Sequence, residues 1–101
     1  MNFEIKFTEN ALEDIQEMKF YISYNLKNPE AAITTLERIM SSIEKLKTFP
    51  KIHRVRRKNS GKEIRVVPVE NFNILYFLDN ENNAVNILRV LYGRRNIDAL
   101  P

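Results

Sequence analysis

At 101 residues with 44% hydrophobic residues and no cysteine, the chain can bury a single two-layer core and can form neither a disulfide framework nor a thiolate metal site. Its net charge of +3 is unevenly held: residues 1–50 carry six Lys or Arg against eight Asp or Glu, and residues 51–101 carry ten against five. Residues 1–7 alternate polar and apolar and include Glu4 and Lys6, which excludes a signal-peptide core or a membrane span there, so a soluble cytoplasmic protein of one domain over 1–101 is expected.

Phe3, Ile5 and Phe7 alternate with polar neighbours and predict a short strand with one buried face. Thr8 offers an N-cap hydroxyl and Glu9 a negative charge in the first turn, so a helix starts there. Leu12, Ile15, Met18, Ile22 and Leu26 give it an apolar stripe and carry it to about Leu26. Asn28-Pro29 begins a second helix, because Asn caps and Pro at the first helical position loses no hydrogen bond. Its stripe is Ala32, Leu36, Ile39, Ile43 and Leu46, and it should pack on the first helix as an antiparallel hairpin that Pro50 closes. Met18, Phe20, Tyr21, Tyr24, Met40 and Phe49 are expected in the core or the helix seam.

Residues 51–62 hold Lys51, Arg54, Arg56, Arg57, Lys58 and Lys62 with no acid, and are read as a basic loop attractive to polyanions or acidic protein segments. Asn59-Ser60-Gly61 is a turn, and a strand follows from Glu63 to Val69, with Pro68 marking an edge or an end because it lacks a ladder donor. Phe72, Ile74, Tyr76 and Leu78 predict another strand. Asp79 to Asn83 form a polar turn whose Asn residues tolerate left-handed backbone angles. Ala84 to Tyr92 is apolar on both faces and should be a central strand. The expected class is α+β in the order β-α-α-β-β-β: a twisted, mainly antiparallel four-stranded sheet against an N-terminal helical hairpin.

With His53 the only histidine and no P-loop, GxGxxG or nucleophile elbow, the common catalytic constellations are missing, and neither a metal nor a cofactor is expected. What remains is basic and aromatic: Arg56 and Arg57 in the basic segment, Arg65 and Arg89 on strands, and Tyr92, Arg94 and Arg95 at the end of the last strand. Arginine suits phosphate and carboxylate because its planar fork makes two directed hydrogen bonds and keeps its charge. Arg65 and Arg89 could share one face of the sheet. For Arg89, pairing with an acid such as Glu13 or Asp14 is the favoured reading, and for Arg94 and Arg95 it is ligand or target contact.

Ala11-Leu12-Glu13-Asp14-Ile15, Tyr21-Ile22, Asn28-Pro29-Glu30-Ala31-Ala32, Ile39 to Phe49-Pro50, Glu63-Ile64-Arg65, Phe72-Asn73-Ile74-Leu75-Tyr76 and Ile87 to Ile97 come in an order and spacing that resemble the RelE/ParE toxin superfamily over almost the whole chain. The resemblance implies the toxin of a bacterial type II toxin–antitoxin module, held in a hetero-oligomer by a cognate antitoxin. Its target would be DNA gyrase, as in the ParE branch, or ribosome-bound mRNA, as in the metal-independent RelE-like endonucleases. For the nuclease pattern, Arg65 and Arg95 match and Tyr92 would be the nearby acid. The pattern is departed from at Asn73 and Glu63, where basic residues are wanted, and at the C-terminus, where an aromatic hydroxyl is wanted and the sequence stops at Pro101. Arg89-Val90-Leu91-Tyr92 and the paired helices look closer to the ParE branch, whose target contacts would be Arg56, Arg57, Arg65, Arg89, Tyr92, Arg94 and Arg95. A non-toxic nucleic-acid-binding module is the third reading that the basic charge allows.

Overall fold

The computed structural model describes residues 2–25 and 29–93. Its elements are β1 (Glu4–Phe7), α1 (Glu9–Asn25), α2 (Pro29–Lys45), β2 (Val55–Asn59), β3 (Lys62–Val69), β4 (Phe72–Asp79) and β5 (Ala84–Tyr92). The strands form one sheet in the order β1-β5-β4-β3-β2. β1 runs parallel to β5, and the other neighbours are antiparallel. The α+β class and the order of elements are those expected, and β5 is central.

The expectation of four strands is corrected to five, because part of the basic segment is itself a strand. Ser60 and Gly61 both have positive φ, 54° and 81°, the two-residue turn whose twist matches the strands it joins. That turn folds β2 back onto β3, from Asn59 opposite Lys62 to Val55 opposite Arg65, with an irregularity at Arg56. Val55, Arg57 and Asn59 are half-buried while Arg56 and Lys58 are exposed, so a period of two is present although charges occupy it. An edge strand accepts such charges, and they discourage pairing with other chains. Pro68 lies beyond the part of β3 that β2 pairs, where its missing N–H is tolerated.

Thr8 caps α1 as expected: its Oγ1 accepts from Ala11 N at 3.1 Å and its carbonyl from Leu12 N. α1 lies over β5 and α2 over β3. Ala11, Ile15 and Met18 line the buried face of α1, and Ala32, Ile39 and Ile43 that of α2, with Leu46 buried just past its end. Ala11, Ile15, Met18, Ile39, Ile43 and Leu46 form one core cluster with Val67, Val69, Ile74, Tyr76, Val85, Ile87 and Val90 of the sheet. Leu12 is not in this stripe but 50% exposed, because it lies about 100° around the helix from Ala11, which is wholly buried. Phe20, Met40 and Phe49 are likewise exposed rather than in the core or seam, and of that group Met18 is buried. Leu26 and Asn28 lie outside the described residues, and of Tyr21, Ile22 and Tyr24 only the helical backbone is described, so the expected packing of these side chains lies outside the description as well. α2 ends at Lys45, five residues before Pro50.

On the sheet face away from the helices, Ile64 and Leu75 are buried among Val66, Phe77, Leu88 and Leu91. The β3–β4 turn is tied to α2 by Glu70, whose carboxylate accepts from Thr35 Oγ1 at 2.5 Å and pairs with Arg38. These hydrogen bonds, Thr35's first, hold the Glu70 carboxyl below its ordinary pKa.

Candidate functional site

The segment between α2 and β2 is a strap held at every third carbonyl. Lys47 O accepts from Phe3 N at 2.8 Å, Pro50 O from the Tyr76 hydroxyl at 2.7 Å, and His53 O from Arg65 Nη1 at 2.7 Å. β4 and β3 supply the last two donors, Tyr76 and Arg65, which stand opposite one another in the register. Burial raises the Tyr76 hydroxyl to about 12, so it remains a donor at any physiological pH. Burial also lowers the His53 imidazole below its ordinary pKa, favouring its neutral form. Arg65 is thus spent on the strap, with its side chain 11% exposed and Nη2 at 3.6 Å from Glu63 Oε1.

With the backbone fixed, the strap and β2 present Phe49, Lys51, Ile52, Arg54, Arg56 and Lys58 to solvent. Phe49 and Ile52 are 61% and 65% exposed. Arg57 is half-buried opposite Ile64, with Nε and Nη2 shielded from water. Lys62 Nζ stands 4.7 Å above the Phe77 ring, a cation–π contact at the margin of the apolar patch.

At the other side of the sheet β1 ends at Phe7, and the Thr8 backbone followed by the Thr8 and Asp14 side chains continues its pairing along β5. Thr8 N donates to Ile87 O and Thr8 Oγ1 to Leu88 O. Asp14 then takes over: Oδ2 accepts from Val90 N and Arg89 Nε, and Oδ1 from Arg89 Nη2, at 2.7–2.9 Å. The pair is bidentate and half-sheltered, and these hydrogen bonds raise the Arg89 pKa. Of the two acids expected for Arg89, Asp14 is the one that binds it.

Tyr92 ends β5 57% exposed, its ring edge-on to Phe72 with centroids 5.4 Å apart. Gly93 turns the chain there with φ 68°, its N–H donating to Asn71 O and its carbonyl accepting from Asn73 Nδ2. Asn73, where the nuclease pattern wants a basic residue, therefore fastens this turn. Arg94 and Arg95 lie outside the described residues.

The suggested pairing of Arg65 and Arg89 on one face is corrected. Arg65 stands opposite core-facing Tyr76, whereas Arg89 stands opposite Leu75 on the other face, because Leu88 is inserted as a bulge in β5. Arg65 and Tyr92 are not neighbours either. Tyr92 aligns with Phe72 and Val69, which puts it about 13 Å along the strands and about 10 Å across them from Arg65. The structure brings together Arg65, Tyr76 and His53, and apart from these Arg56, Arg57 and Lys58. Phe49, expected in the core or the helix seam, is exposed, and Tyr76, expected only as a strand residue, is a donor to the strap, since a period of two or four does not reveal which carbonyl a hydroxyl will meet.

The fold is a small α+β domain, two helices on a mainly antiparallel five-stranded sheet. The chain superposes on the chromosomal ParDE system of P. aeruginosa with TM-score 0.68, 19% identity, and coverage of 91% of this chain and 97% of that one. On the archaeal RelE–RelB complex of Pyrococcus horikoshii OT3 the values are 0.65, 11%, 94% and 99%. On the intact E. coli RelBE complex they are 0.60, 17%, 92% and 99%. A model of the ParE toxin of type II toxin–antitoxin systems matches residues 5–97, and the chain belongs to that family. No curated protein matches it in sequence.

Proposed function

We propose that this toxin arrests growth by binding and inhibiting DNA gyrase, with its basic strap and β2 as the contact surface and without cleaving nucleic acid. The observation that carries this reading is the employment of Arg65. A metal-independent ribonuclease must activate a 2′-hydroxyl and stabilise charge on the phosphate, and general acid–base groups contribute about 10²–10⁴-fold to such a rate. Arg65 donates to the His53 carbonyl, Asn73 to the Gly93 carbonyl, and Tyr92 stands far from Arg65. Arginine is moreover a poor proton shuttle. The exposed cations Lys51, Arg54, Arg56 and Lys58 suit binding, and Tyr92, Arg94 and Arg95 are assigned to the same target. A RelE-like, ribosome-dependent endonuclease using Arg65, Tyr92 and Arg95 is the second reading, favoured by the RelE–RelB and RelBE neighbours.

The partner before release is a cognate antitoxin. Leu12 and Phe20 on α1 and Ile33 and Met40 on α2 are exposed, a surface suited to an acidic and apolar segment that folds as it binds. Inducing the chain in cells and following DNA, RNA and protein synthesis separately tests the reading: replication should stop first, with a DNA-damage response. Early arrest of translation with intact replication would overturn it.

A further inference from the structure

The strap carries two large apolar side chains in water on a backbone held by hydrogen bonds to three of its carbonyls. Phe49 and Ile52 are 61% and 65% exposed, and with Phe3, Pro50, Lys51 and Asn80 they line an open groove of about 530 Å³. The stretch is held on both sides, by Phe3 N on Lys47 O and Arg65 on His53 O, and within it by Tyr76 on Pro50 O. Lys51 is the charged residue of the lining, Arg54 is exposed two residues beyond Ile52, and no acid occurs from residue 51 to 62, so the strap's own charge has one sign. The acids nearest the lining in sequence are Glu4, next to Phe3, and Asp79 and Glu81, on either side of Asn80.

We propose that the strap is a preorganised docking site for a segment of the target protein that carries acidic residues around an apolar anchor, and that Phe49 and Ile52 are the determinants of specificity for that target. The proposal rests on the gyrase reading and names the place where contact is strongest. Charge complementarity sets the sign of the partner, because acidic side chains would meet Lys51 and Arg54 while their apolar neighbour fills the groove. RNA is the poorer occupant: its bases would stack on Phe49, but the aliphatic Ile52 gives it neither a stacking plane nor a hydrogen bond. Rigidity adds affinity, since the hydrogen bonds from Tyr76 and Arg65 order the loop before the partner arrives. Aromatic and aliphatic anchors seated centrally commonly carry most of an interface's binding energy.

The test is inhibition of supercoiling by purified gyrase, comparing the wild-type chain with Phe49→Ser/Ile52→Ser and with Lys51→Glu/Arg54→Glu. All four positions are solvent-exposed, and circular dichroism with thermal midpoints checks that the fold is unchanged. Each double variant should need about tenfold or more protein for half-inhibition, and the charge-reversed one should lose most of its sensitivity to salt. Equal inhibition by wild type and Phe49→Ser/Ile52→Ser would overturn the docking site and leave the gyrase reading standing. Failure of the wild-type chain to inhibit gyrase would overturn both. Loss of ribosome-positioned message cleavage in the Phe49→Ser/Ile52→Ser variant would make the strap a contact for the ribosome or RNA and would also overturn the proposal.

Discussion

Arg89 and Asp14 show how one ion pair can serve the backbone as well as charge. Asp14 joins helix to sheet where β1 has ended, accepting from Val90 N as well as from two guanidinium nitrogens. Asp14→Ala would strand both, and denaturant unfolding should show a loss of about 1.5–3 kcal/mol, in the range for hydrogen bonds to charged groups. Tyr76→Phe removes the donor to Pro50 O and should cost about 1–3 kcal/mol. That residue also governs the alkaline limb of stability. Its hydroxyl titrates near 10 when unfolded and at about 12 when folded, so the folded state holds the proton longer. The contribution is complete below pH 10 and is lost as pH rises through about 12. Unfolding measured from pH 9 to 12 should show that fall in wild type and a flatter curve in Tyr76→Phe. At this scale the sequence showed that Arg89 had acids within reach on α1, because charge and spacing suggest partners. It did not show Arg65 binding a carbonyl, since main-chain acceptors have no signature in residue type.

The elements were legible where hydrophobic periodicity is undiluted. α2, β4 and β5 follow their stripes, and β5 spans the residues expected of it. Ile39, wholly buried on the inner face of α2, should cost about 2–5 kcal/mol as Ile39→Ala, while Leu12→Ala on the exposed side of α1 should stay within about 0.5 kcal/mol. Chemical denaturation of the two variants checks the placement of both stripes. β2 escaped detection because its inward position is filled by Arg57, whose aliphatic stem can cover Ile64 while its charge reads as a loop. Only the turn at Ser60 and Gly61 pointed to a hairpin. Gly61→Val should therefore destabilise β2 selectively, forcing a β-branched side chain into φ 81°, and amide exchange should quicken first at 55–59.

For the whole molecule, the order and spacing of short residue motifs carry the resemblance to the toxin superfamily, and the family match over residues 5–97 places the chain with the ParE toxins. The candidate site was legible in part: the basic segment stood out by charge, but the strap that presents it depends on hydrogen bonds from Arg65, Tyr76 and Phe3, all distant in sequence from the carbonyls they meet. Co-expression with a neighbouring acidic open reading frame should yield a stable complex, and recovery of free, fully toxic chain alone would argue against a folding-on-binding antitoxin. The central claim is that the toxin binds its target and does not cut nucleic acid. It is tested most directly by adding the purified chain to gyrase supercoiling reactions and, in parallel, to translating ribosomes whose messages are mapped for cleavage. Blocked supercoiling and intact messages are the expected result. Unimpaired supercoiling with codon-phased cuts would contradict it.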